Sequence, residues 1–174
     1  MVRRVFFSFH FDGDAWRTNQ VRNAGVVTRH PPVSHTRWEQ IRRTGARAIR
    51  AWIDPRIEWA SCTIVLIGEQ TAERPWVRYE IAKSWEENKA LLGIRIHRLL
   101  DSDGRPSGKG PDPFSQVFPP DFLQGHSLQG VVPVYDPPGS NSRAVYAHIT
   151  ANMVGWVEQA LLLRDFRIRE SGDG

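Results

Sequence analysis

The chain has 174 residues, enough for one domain and short of two ordinary ones. Its 40% hydrophobic content supplies a core and its 24% charged content a soluble surface, which excludes a chain-wide disordered polymer. The net charge of +4 gathers in residues 1–60, where eleven Arg face five Asp and Glu, yet these arginines stand at helical spacings as a solvated face would, and no nucleic-acid motif accompanies them.

The opening run Val5–Phe9 is short, β-branched and aromatic, and reads as a buried central strand. Its apolar character ends at Phe11, with Asp12 and Asp14 close behind, so a secretory h-region is not expected. No apolar run approaches the ~20 residues of a membrane helix, and the expected location is cytoplasmic with no membrane partner. His10–Asp14 reads as a turn, followed by a helix over Ala15–Asn23 that turns Trp16, Val21 and Ala24 toward the sheet and ends at Gly25.

In residues 25–36, Val26 and Val27 suggest a short strand, and Pro31-Pro32 forbids regular structure just after it. From Trp38 to Ala60 the pattern is helical: Ile49, Ile53 and Ile57 recur every four residues, with Arg43, Arg47 and Arg50 opposite. Pro55 either kinks this stretch or restarts it. Cys62, the one cysteine, opens an apolar run and reads as a small core residue in a reducing compartment.

Thr63–Ile67, stopped by Gly68, is the clearest strand. Pro75 opens a helix to about Asn88 that buries Val77, Ile81 and Trp85. Leu91–His97 is a further strand, Val131–Tyr135 the last, and Arg143–Leu163 a closing helix. Between them Asp101–Gly130 holds five Gly and five Pro, far longer than the usual ~2–6-residue connection. Its Phe114, Phe118 and Phe122 suggest a packed insertion, either a lid or interface or an inert decoration. Strands that are apolar on both faces and alternate with helices give the fold class: α/β, a doubly wound, flavodoxin-like, parallel five-stranded sheet in three layers, strand order 2-1-3-4-5, within one domain over 1–174.

Standard chemical signatures are missing. There is no phosphate-binding Gly-x-x-x-x-Gly-Lys loop, no dinucleotide Gly-x-Gly-x-x-Gly after the first strand, and no metal-ligand spacing among the six His, so neither a metal nor a cofactor is expected. Trp76, Glu80 and Lys83 share one helical face. Glu80 stands near the carboxyl edge of the sheet, where a carboxylate beside an indole suits acid–base or electrostatic work. The competing reading is an exposed glutamate paired with Lys83 or Arg78.

The order of these pieces resembles the bacterial and archaeal TIR-like domains, in particular the ThsB-like branch of Thoeris antiphage defence. The likeness rests on Val5–His10 with Asp12, Asp14, Trp16 and Gln20–Asn23, on Ile53-Asp54, on Thr63–Gly68, on Arg74–Ile81, and on Gly108–Phe114. It spans about residues 4–136. The resemblance implies that Glu80 is the catalytic residue for cleaving NAD, which serves as substrate and not as cofactor. It implies a cyclic ADP-ribose-type signal that reaches a partner effector protein, and it leaves self-association into a homo-oligomer open. The alternative is a non-catalytic scaffold acting by self-association. A cationic nicotinamide leaving group makes the ribose oxocarbenium-like, which a fixed carboxylate stabilises. Phe9, Phe11 and Trp76 are candidates to stack on the base, His10 and the backbone N–H groups around Asp12 to meet hydroxyls or phosphates, and nearby arginines suit an anionic dinucleotide.

Overall fold

The structure is a computed structural model, described here for residues 2–120 and 124–172. Five parallel strands run in the order β2-β1-β3-β4-β5: β1 Arg4–Ser8, β2 Thr28–Arg29, β3 Cys62–Ile67, β4 Ala90–Arg95 and β5 Val134–Tyr135. Strands β3 and β4 are buried almost end to end, as their two-sided apolar character requires. The expected order and the central place of the first strand are both borne out.

Five helices cover the two faces: α1 Phe11–Arg22, α2 His35–Thr44, α3 Ala46–Trp59, α4 Pro75–Glu86 and α5 Ser142–Gly172. Side chains alternate along β1 as a strand dictates. Val5 and Phe7 enter a core with Ile149, Met153 and Val157 of α5, while Phe6 meets Ile49, Ile53 and Ile57 of α3 on the other face. Ser8 follows Phe6 in that alternation, so its hydroxyl points toward the α3–α4 side. Across β3, Val65 and Ile67 pack on Val77 and Ile81 of α4. A 2.7 Å contact between the hydroxyls of Thr63 and Ser84 also ties α4 to β3. Cys62 is fully buried, and burial pushes its thiol up to about 12.

Several local expectations are corrected. Helix α1 begins at Phe11, not Ala15, and Trp16 faces solvent at 57% exposed; the side chains it buries are Asp14, Arg17, Thr18 and Val21. The second strand lies at Thr28–Arg29, and Val26 and Val27 only pack beside the core. The long helical stretch breaks at Gly45 and not at Pro55. Gly45 sits at φ +113°, which side chains rarely adopt, whereas Pro55 and the Ala51 carbonyl it deprives of a donor are on the exposed side, where water can serve. The last strand is two residues long and the last helix runs to Gly172. Trp85 is half-buried.

The segment between β4 and β5 packs through Phe114, Val117 and Leu128. Phe118 is 60% exposed, against expectation, and Phe122 lies outside the described residues. Arg17 ties this segment to α1: it donates to the Leu99 and Arg105 carbonyls at 2.8 Å and pairs with Asp14 at 3.1 Å. Gly68 makes that corner possible, since a Cβ there would lie 2.0 Å from Asp14 Oδ2. Gly68→Ala is therefore expected to cost about 1–3 kcal/mol, read as a lower denaturant midpoint at constant slope. No helix among the described residues is long and apolar enough to cross a membrane.

Candidate functional site

A cavity of about 190 Å³ opens at the carboxyl end of β1, between that strand, the chain leading into and out of β2, and helices α2, α3 and α4. The structure brings all six sequence-predicted residues to it: Phe9, His10, Phe11, Asp12, Trp76 and Glu80.

Glu80 is 7% exposed. Its hydrogen-bond partner among the described residues is the Ser8 hydroxyl, which donates to Oε2. Burial pushes the carboxyl up to about 8, against the weaker opposing effect of Ser8. The surface-glutamate reading fails on geometry. Lys83 pairs with Glu87 at 3.0 Å, and Arg78 donates to the Ala72 carbonyl at 3.2 Å. Among the described residues Glu80 is thus a buried carboxylate with no cation partner, held between the central strand and the first turns of α4.

The aromatic wall is continuous. Ring centroids of Phe9 and Phe11 are 5.9 Å apart, Phe11 and Trp38 5.7 Å, and Trp38 and Trp52 5.5 Å. Trp76 stands edge-on to Tyr79 at 5.5 Å, and the Tyr79 hydroxyl donates to Asp54 at 2.6 Å, joining α4 to α3. His10 is nearly buried just before α1, and burial, then Arg74, lowers its pKa. Gly13 makes room for the ring, because a Cβ there would meet Nδ1 at 2.5 Å. Asp12 is exposed at the mouth and pairs with Arg42 at 3.0 Å. Donor atoms of Asp12, His35 and Glu39 also lie within 4.8 Å of one another, but Arg42 already pairs with both carboxylates at 3.0 Å.

Sequence reasoning missed Ser8, Trp38 and Trp52 in the site, and expected arginines near it without singling any out. Arg22, Arg29, Arg42, Arg56 and Arg74 all line the cavity, whereas Arg43, Arg47 and Arg50 are exposed as expected. One signal was available: Ser8 is the single polar residue between Val5 and Phe9.

Comparison with known proteins agrees with this geometry. The family model described as "Thoeris protein ThsB, TIR-like domain" matches residues 6–101, over half of the chain and most of the cavity. A protein of Bacillus cereus (strain MSX-D12), named a candidate cyclic ADP-D-ribose synthase, ThsB1, is 40% identical over 122 residues. That match covers 67% of this chain and 64% of the relative, so the chain spans just under two thirds of the relative's length. With the sheet order, the cavity at its carboxyl edge and this match together, the chain belongs to the ThsB TIR-like family.

Proposed function

We propose that this chain cleaves the bond between nicotinamide and ribose in NAD and closes the remaining ADP-ribose into a cyclic nucleotide signal, with Glu80 as the catalytic carboxylate. The signal then activates an effector protein in antiphage defence. The observation that carries the reading is the contrast between the two carboxylates lining the cavity among the described residues: Asp12 is exposed and neutralised by Arg42, whereas Glu80 is buried and free of any cation. The relative's name, cyclic ADP-D-ribose synthase, supports the product class.

The chemistry follows from charge. NAD carries a permanent positive charge on its pyridinium ring. As the bond to C1′ breaks, nicotinamide takes the electron pair and leaves neutral, and the charge passes to an oxocarbenium-like ribose. An electron pair from the ADP portion then closes on C1′. The Glu80 carboxylate interacts more strongly with that concentrated charge than with the ground state, which is what accelerates the step. The pyridinium charge also lowers the Glu80 pKa, so the carboxyl gives its proton to solvent as the substrate binds. Phe9, Phe11 and Trp76 offer faces for the base, and His10 and Asp12 meet hydroxyls near the mouth. The cavity is smaller than the ~300–1,000 Å³ of sites that bury a whole small ligand, so the dinucleotide lies partly outside it with its nicotinamide end inward.

One observation favours self-association as well: Leu162 and Phe166, one turn apart on α5, are 70% and 64% exposed. Both readings meet in one experiment. Protein activated with lysate of phage-infected cells should convert NAD to nicotinamide and a nucleotide lighter than ADP-ribose by one water, seen by mass spectrometry. Intact NAD, with concentration-dependent assembly in sedimentation, would replace the enzyme by the scaffold.

A further inference from the structure

The cavity has a second end, toward β2, that the bond-breaking chemistry leaves unused. Arg22 at the end of α1, Arg29 in β2, His30 just after it and Arg56 on α3 line the same space. No carboxylate lies within 4.0 Å of these three arginines among the described residues. Arg29 donates to neutral acceptors, the Arg22 and His30 carbonyls and Asn23 Oδ1, at 2.9–3.2 Å. The Arg56 guanidinium lies on the Trp52 ring at 4.0 Å, and that of Arg22 over Phe9 at 5.7 Å.

Nε of Arg22, Nε of Arg56 and Nε2 of His30 are buried without a hydrogen-bond partner. With Nε of Arg74, four of the six such atoms among the described residues belong to side chains of this one cavity. Buried polar groups are paired in the great majority of cases, so a concentration of orphans in one concave site points to a missing ligand. The charges give the same sign. Burial and then Arg29 bring Arg22 down to about 10, and burial and then Arg56 lower His30. Cations are being desolvated and pressed together with no counter-charge, which an anion would relieve.

We propose that Arg22, Arg29, His30 and Arg56 form a phosphate-binding subsite that takes the diphosphate of the dinucleotide whose nicotinamide riboside end reaches Glu80. The inference rests on the reading of this cavity as a dinucleotide site. Guanidinium forks match phosphate oxygens two by two, and the aromatic rings beneath Arg22 and Arg56 hold those forks in place. It assigns the phosphates to these named side chains at the β2 end of the cavity, and not to the His10–Asp12 turn that the sequence also offered for them.

The test is calorimetric titration with inorganic pyrophosphate and, separately, with ADP-ribose. Wild-type protein should bind both, and Glu80→Gln should bind pyrophosphate equally well. The double variant Arg22→Gln/Arg56→Gln should lose about 10²-fold in affinity for each ligand, since two charge-assisted contacts are removed. Should that variant fail to fold, Arg56→Lys keeps the charge but not the fork and should weaken binding about tenfold. Wild-type protein indifferent to pyrophosphate, or a folded variant that binds as wild type does, overturns the subsite. Pyrophosphate has neither ribose nor nicotinamide, so its binding survives even if NAD is not cleaved, and the two readings fail separately.

Discussion

Replacing Glu80 by glutamine is expected to slow NAD cleavage by ~10²–10³-fold while making the protein more stable at pH 7. The rate loss follows from charge: glutamine keeps the volume and an oxygen that accepts from Ser8, but it cannot offset an oxocarbenium-like ribose. The stability gain follows from burial. The Glu80 carboxyl holds its proton up to about 8 in the folded chain, against an ordinary 4.5. At pH 7 folding must therefore reprotonate a group that the unfolded chain has ionised, at a cost of ~3 kcal/mol. Glutamine has no such cost, and the gain corresponds to a rise in Tm on the order of 10 °C. A surface glutamate would change neither quantity much. Turnover assays and thermal unfolding of the same two proteins check both halves; a variant that keeps wild-type turnover would make Glu80 structural.

The second large effect is a pH dependence with opposite signs for activity and stability. In the free protein the ionised fraction of Glu80 falls about tenfold per pH unit below 8, so kcat/KM for NAD should climb with unit slope from pH 6 and level off above about 8. His10 and His30 also line the cavity, but burial above all shifts both below their ordinary 6.5, away from the rise assigned to Glu80. Stability moves the other way. A carboxyl raised on folding contributes fully below its unfolded value and loses that contribution as pH climbs from 4.5 through about 8. The stability difference between Glu80→Gln and wild type should thus vanish near pH 4 and grow to a plateau of ~5 kcal/mol above pH 8. Taking the difference cancels the histidines and surface groups the two proteins share. A kcat/KM that stays flat from pH 6 to 8.5 would refute the assignment.

The parts of the fold that were legible are those whose residues answer to one constraint. Strands β1 and β3 are apolar on both sides because helices cover both, and that shows in the sequence directly. Helix α4 carries Pro75 at its start and Val77 and Ile81 toward the sheet, so Glu80 could be placed before any coordinates. Residues 25–36 resisted because no periodicity governs them and β2 is two residues, while the break at Gly45 depends on a backbone angle no pattern encodes. The arginines divided for a similar reason. Arg43 and Arg47 are solvated as their spacing suggests, but Arg22, Arg29 and Arg56 come from three elements that meet only in three dimensions. Ser8 was passed over because a lone hydroxyl in a strand carries meaning only once the helix opposite is known.

Cys62 has a practical consequence. Its sulfur is fully enclosed at the start of β3, and a thiol that ionises only near 12 presents almost no thiolate at neutral pH. Thiol-directed alkylating reagents and peroxide find no thiolate to attack in the folded chain, so mild oxidation should leave Cys62 untouched. The same property makes the native sequence a blank background for labelling. One cysteine introduced at the rim of the cavity would take a fluorophore or spin label at a single position, and the arrival of a nucleotide could be followed without first removing anything from the protein.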